Sequence, residues 1–267
     1  MPANGKKPFW KNSTSTNCAN ASCINPARPA SGALSAPPSP RTACAKGAPS
    51  PGAAEKPRGG RGRDHGPGVL ALDCGANLGV HKVEWARFLY GWSHVVAFEA
   101  QEKIYYALCG NIALNNCLNV NALNSAVGNR CGQIDIPEPD YLTPGSFGSL
   151  ELQASDHNEF IGQPLDYTAR TIRIDMVTLD SLNLQRIDLI KLDVEGMEQQ
   201  VLEGAAGSLE RCRPMVFLET LKADMNVTGP WLASRCYRLF PAGINLLAVH
   251  ESDPALPRLK MKTAGSV

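Results

Sequence analysis

Three carboxylates fall within six residues at Asp193, Glu195 and Glu198, where the mostly apolar run Ile187–Leu192 gives way to a helix-like stretch. Asp193 and Glu195 stand two apart, so an extended backbone would point both the same way. Paired carboxylates at the mouth of a site can deprotonate a hydroxyl, hold a cation or fix an ammonium group. Glu198 needs no such role, because acids favour helix N-termini through the dipole and capping. A second group lies earlier in the chain. The run Val69–Asp73 ends in an acid and leads into Cys74-Gly75-Ala76-Asn77-Leu78-Gly79, with a helical pattern after it. Glycines at 75 and 79 permit positive φ and close approach to a ligand, and the helix start offers unpaired N–H groups. Strand, tight turn and helix N-terminus together make a nucleotide-cofactor cradle.

The turn is not the dinucleotide G-x-G-x-x-G, since Asn77 occupies the place of the middle glycine. A side chain there leaves less room for a pyrophosphate, which favours a phosphate-free cofactor such as S-adenosylmethionine (SAM) over NAD. Its amino-acid end would use Asp73 and the amides of Gly75, Ala76, Asn77 and Gly79. Glu99 ends the next apolar run, 20 residues after Gly79, and can accept hydrogen bonds from both hydroxyls of a ribose. Asn124-Ser125-Ala126 ends the third run, where an adenine ring rests in such sites. His81, in the first turn of the cradle helix, is a candidate base, although a lone helical histidine is as readily a surface residue. Glu219 ends a later run and either shapes the acceptor pocket or caps a solvated strand end.

These residues need a scaffold that brings strand ends together. Strands are expected at 69–73, 94–99 and 119–127, with helices at 77–90 and 102–116 between them. That alternation argues for a doubly wound α/β sheet, mostly parallel, with helices on both faces. Residues 128–176 are turn-rich with short alternating segments, and are read as a lid or acceptor-binding insertion. Regular elements return as strand 187–193, helix 196–210, strand 214–219, a helix near 229–235 and a closing hairpin from 237–240 and 244–250.

Composition divides the chain. Residues 1–67 hold ten Lys and Arg against two Asp and Glu, and eleven of the twenty prolines. Such a segment cannot bury enough surface to order itself and is expected to be a disordered basic arm. A basic arm can bind nucleic acid or an anionic surface, or act as a transit sequence, but it lacks an amphipathic helix and is more simply a solvated extension. The domain is expected at 68–250, with residues 251–267 as a tail. The nine cysteines show no zinc spacing, which argues for reduced thiols in a cytoplasmic protein and no metal centre. No apolar run approaches a membrane span.

In order along the chain, Leu72–Gly79, Ala97-Phe98-Glu99, Asn124–Gly128, Thr178–Leu182, Ile187–Glu198 and Val201–Ala205 resemble the FkbM family of SAM-dependent methyltransferases. The resemblance covers about residues 68–250. It implies a class I methyltransferase fold, Rossmann-like, with seven strands of which the last is antiparallel. It also implies O-methylation of a hydroxyl on a sugar, glycolipid or secondary metabolite. Asp73, Gly75, Asn77 and Gly79 would then hold the methionine part of SAM, Glu99 the ribose, and Ser125 or Ala126 the adenine side. Asp193 and Glu195 would face the transferred methyl. The departures are Cys74, where the family has an aliphatic residue, and the absence within Gly59–Gly68 of an ordered segment ahead of the turn. Other readings are a catalytically silent SAM-binding scaffold, a nucleotide-dependent oxidoreductase and a nucleic-acid methyltransferase. Against the last stand the acidic balance of the folded part and the missing Asn/Asp-Pro-Pro-aromatic motif.

Overall fold

The computed structural model describes residues 68–156 and 158–259, with the side chains of residues 80–82 outside that description. The expected arm at 1–67 and the end of the tail at 260–267 therefore lie outside the described residues. A first strand, β1 (Leu70–Cys74), leads into helix α1 (Val80–Leu89). Strand β2 (His94–Glu99), helix α2 (Glu102–Leu114) and strand β3 (Val120–Asn124) follow. Beyond a small second sheet the chain resumes with β7 (Leu189–Leu192), α3 (Glu198–Glu203), α4 (Ala206–Cys212), β8 (Met215–Glu219) and α5 (Met225–Ala233). It closes with the hairpin β9 (Tyr237–Ala242) and β10 (Asn245–His250).

Seven of these strands form one sheet in the order β3-β2-β1-β7-β8-β10-β9. All neighbours run parallel except β10, which is antiparallel to both β8 and β9. This is the class I methyltransferase sheet. The central strands read as apolar runs because both faces are covered. Ala71 packs with Ala86, Val95 and Leu108, whereas Leu72 and Cys74 join Val201, Leu202 and Leu209. Strand order reverses between β1 and β7, so a crevice opens beyond the carboxyl ends of these two strands.

Two expected elements are corrected. The strand expected at 119–127 ends at Asn124, whose side-chain amide donates to the carbonyls of Glu99 (2.8 Å) and Ala100 (3.1 Å). Ala126–Val127 then forms β4, which pairs with β6 (Thr171–Val177) in a separate three-stranded sheet completed by β5 (Gly132–Pro137). The expected insertion is thus an antiparallel pair framing a long irregular loop.

The helix expected at 196–210 is broken into α3 and α4. At the break Gly204 lies against the Gly128 carbonyl, where a Cβ would collide. The new helix start is satisfied by Asp180, whose carboxylate accepts from the amides of Gly207 (2.9 Å) and Ser208 (2.6 Å). A remote acid thus does the work of an N-cap. Asp180→Ala should lower stability by about 1–2 kcal/mol in urea unfolding, with Asp180→Asn retaining much of it. An unchanged midpoint in the alanine variant would remove the capping role.

Among the described residues no helix is long and apolar enough to cross a membrane. Cys109, Cys117, Cys212 and Cys236 are free thiols.

Candidate active site

The cradle turn is built on backbone contacts that only its sequence permits. Gly75 has φ +80° and lies against the Asp193 carbonyl at the end of β7, so a Cβ there would overlap that oxygen. The amides of Gly75 and Ala76 donate to the Phe98 carbonyl at 3.2 and 2.8 Å. Asn77 is left-handed at φ +47°, which asparagine tolerates. Its side-chain oxygen accepts from the next amide, Leu78, at 2.8 Å. Gly79, at φ +90°, caps α1.

Glu99 holds this turn in place. One carboxylate oxygen accepts from the Asn77 amide at 2.7 Å and the other from the Gln101 amide at 2.9 Å. The acid at the end of β2 therefore shapes the cradle as well as facing it.

A cleft of about 540 Å³ of open space lies at this edge. Of the residues singled out in the sequence, Gly75, Asn77, Glu99, Ser125, Ala126, Asp193 and Glu195 line it. Ala76 is buried, and Asp73 is wholly buried at 0% exposure, so neither lines the cleft. Gly79 is at the helix start beyond it. His81 lies in the first turn of α1, with its side chain outside the described residues.

Asp73 instead faces Lys191, whose ammonium lies 3.6 Å from Asp73 and 2.8 Å from Asp193. Burial alone would lower the Lys191 pKa, but the two acids outweigh it and hold the group above the ordinary lysine value. The lysine in mid-strand thus fixes the Asp193 carboxylate at the edge of the cleft.

Asp193 and Glu195 do come together, though not through an extended backbone. Glu195 has φ +53° and Gly196 φ +94°, a left-handed pair that turns the chain from β7 towards α3. Glu198 sits beneath this turn at 1% exposure and accepts from the amides of Val194 and Gly196 at 3.2 and 3.3 Å. Its role is to hold the loop. Glu219, at the end of β8, completes a group in which carboxylate oxygens of Asp193, Glu195 and Glu219 all lie within 4.8 Å of one another. Such a spacing suits a divalent cation, but Lys191 already pairs with Asp193 and Lys222 with Glu195 at 2.7 Å. Burial pushes the Glu195 carboxyl up, against the pull of Lys222. Burial, together with the charges of Asp193 and Glu195, pushes Glu219 up to about 7.

The roof of the cleft comes from the insertion, through residues with no sequence signal of their own. The Gln101 side-chain amide donates to the Phe147 carbonyl at 2.8 Å, and its oxygen accepts from the Tyr141 hydroxyl at 3.3 Å. The Tyr141 and Phe147 rings pack with centroids 4.9 Å apart. Gly148 lies so close to Asn77 that a Cβ would strike its side-chain amide. Leu150 and Leu152 then supply an apolar wall. Lys222 ties the same segment down, donating to the Ser149 carbonyl at 3.0 Å and pairing with Glu151 and Glu159. Burial and the nearby Glu99 push the Tyr141 hydroxyl up to about 12, so it remains a neutral donor.

The sequence model described as the methyltransferase FkbM domain matches residues 73–236, from the acid behind the cradle to the start of the closing hairpin. The chain belongs to the FkbM methyltransferase family. Over 153 residues it is 29% identical to methyltransferase sdnD of Sordaria araneosa, covering 50% of this chain and 59% of that protein. Over 202 residues it is 26% identical to methyltransferase 1 of Beauveria bassiana (strain ARSEF 2860), covering 71% and 77%. Among solved structures it is similar to an FkbM methyltransferase from Methylobacillus flagellatus KT, with a TM-score of 0.47 and 16% identity. That match covers 69% of this chain and 44% of the other. The chain thus spans well under two thirds of the Sordaria protein and of the Methylobacillus chain.

Membership brings SAM as the cofactor, and the residues present fit it. The cleft combines an apolar lining with a few convergent polar groups, as small-molecule sites do. It joins apolar walls at Phe98, Ala126, Val127, Leu150 and Leu152 to polar groups at Asn77, Glu99 and Ser125.

Proposed function

We propose that this domain is an O-methyltransferase acting on a hydroxyl of a sugar, glycolipid or secondary metabolite. The observation that carries the reading is the convergence of three carboxylates, Asp193 and Glu195 in the lining of the cleft and Glu219 beside them. A hydroxyl is a poor nucleophile until its proton is removed, so an acceptor of this class needs a base there. SAM, when bound, supplies a methyl group on a sulfonium whose bonding pair departs with sulfur.

The chain's own residues would do the rest. Glu99 would accept from the ribose hydroxyls, and the turn at Gly75, Ala76, Asn77 and Gly79 would receive the methionine end through close backbone approach, its own amides being engaged by Phe98, Glu99 and Ala76. Asp73 would act from behind, through Lys191. Ser125 and Ala126 would border the adenine. Asp193 and Glu195 would face the acceptor, with His81 a further candidate base from the start of α1. The roof over residues 147–152 would exclude water and, with the rest of the 128–176 insertion, choose the acceptor. Most of the acceleration would come from positioning.

Calorimetric titration of the full chain with SAM tests the cofactor part. Saturable binding is expected, weakened roughly 10-fold or more in Glu99→Gln, since a neutral amide binds the Asn77 and Gln101 amides less strongly. Transfer of label from methyl-tritiated SAM to a panel of monosaccharides, glycosides and polyketide-type alcohols tests the acceptor class. Binding without transfer to any member would remove the hydroxyl reading and favour a silent SAM-binding protein.

A further inference from the structure

Three carboxylates meet beside the cleft, Asp193 and Glu195 within its lining and Glu219 within 4.8 Å of both, but they are not equivalent. Asp193 is held by the Lys191 ammonium at 2.8 Å, and Glu195 by the Lys222 ammonium at 2.7 Å. Taking a proton would break either ion pair, so both carboxylates are committed to a cation, although burial still holds the Glu195 carboxyl above its ordinary value. Glu219 has no cation partner among the described residues. It occupies the last position of β8, half-buried, opposite Asn245 of β10, with its carboxyl close enough to share a proton with Asp193.

We propose that Glu219 is the group that takes the acceptor's proton, with Asp193 as the partner that sets its proton affinity. The proposal rests on the reading of this cleft as a methyl-transfer site. In the step, the acceptor's O–H bond breaks and its proton moves to a Glu219 oxygen. The electron pair left on the acceptor oxygen forms the new bond to the methyl carbon. The protonated Glu219 then donates a hydrogen bond to Asp193, which keeps its contact with Lys191. Proton affinity near neutrality supports this division of labour, since a base works best when its pKa lies close to the working pH.

The charged groups around Glu219 all push in one direction. Asp193 and Glu195 on the loop after β7, and Glu198 at the start of α3, each raise its pKa. Lys191 on β7 and Lys222 after β8 are engaged by Asp193 and by Glu195, Glu151 and Glu159 respectively. Glu219 therefore holds a proton in the folded chain at a pH where it is ionised in the unfolded chain. This contribution to stability is full below the ordinary glutamate range and is lost as the pH rises through about 7.

The test uses the full chain labelled with carbon-13 at the glutamate carboxyls, first without any ligand. One resonance should titrate near pH 7, vanish in Glu219→Gln, and move down by one pH unit or more in Asp193→Asn. With a hydroxyl acceptor from the panel above, Glu219→Gln should turn over roughly 10²–10⁴-fold more slowly. It should also lose the rise in rate around pH 7, while its calorimetric affinity for SAM stays within a factor of two or three. A Glu219 carboxyl that titrates with the ordinary glutamates overturns the proposal, as does a Glu219→Gln enzyme with near wild-type turnover. If the wild type binds SAM but methylates nothing in the panel, the hydroxyl reading fails separately, and the carboxyl titration still decides where the proton resides.

Discussion

Replacing Gly75 with alanine is expected to abolish SAM binding and to destabilise the domain by about 2–5 kcal/mol. Two independent terms add. The residue sits at φ +80°, which costs an L-residue roughly 1–2 kcal/mol. The new methyl would also overlap the Asp193 carbonyl, and overpacking of this kind costs about 1–3 kcal/mol. Here the neighbour is backbone, at the junction of β1 and β7, so relief requires moving the strand end that carries Asp193. The control is Gly110 in the middle of α2, where a Cβ meets nothing within 4 Å. Gly110→Ala should stabilise by about 0.5–1 kcal/mol. Guanidinium unfolding of both variants, with SAM calorimetry, checks the pair. Equal stability in the two would show that the contact at Gly75 is not the constraint described above.

The second large effect concerns Lys191. Lys191→Met should lower stability by about 3–5 kcal/mol, the usual consequence of removing one partner from a buried ion pair. Lys191 is 5% exposed, and its ammonium lies between a wholly buried Asp73 and the cleft-edge Asp193. Its removal brings two carboxylates together with no cation between them. Lowering the pH should partly rescue the variant, because protonating a buried carboxylate removes the charge that the lysine had balanced. Stability of Lys191→Met should therefore fall as the pH rises from about 5 to 8, more steeply than in the wild type. Adding Asp73→Asn should recover part of the loss, a non-additivity expected of groups in contact. A double variant whose loss equals the sum of the singles would mean that Asp73 and Lys191 do not act as a unit.

The elements nearest the cofactor edge were readable because they are local. A buried strand, an Asp-x-Gly turn and a helix follow one another within about twenty residues, and acids end the apolar runs at Asp73, Glu99, Asp193 and Glu219. What could not be read depends on remote contacts. Nothing in Gly204-Ala205 announces a helix break, because its cause is the carbonyl of Gly128 and the cap supplied by Asp180. Lys191 is a charge within a mostly apolar run. Its meaning appears only when β1 and β7 lie side by side and Asp73 faces it. The extended pairing expected of Asp193 and Glu195 gave way to a left-handed turn at Glu195 and Gly196, a conformation that glycine at 196 allows but does not announce. Gln101, Lys222 and the roof residues were silent for the same reason, as their partners lie up to 73 residues away.

The Gln101 side chain grips the roof at Phe147 and Tyr141, while its backbone amide is held by Glu99, which also clasps Asn77. Roof and cradle are joined through one residue, so the segment proposed to select the acceptor is also part of the wall of the proposed cofactor cleft. Anyone grafting a different loop between β5 and β6 to change acceptor range should therefore see the affinity for SAM change with it, unless Gln101 and its two roof contacts travel with the graft.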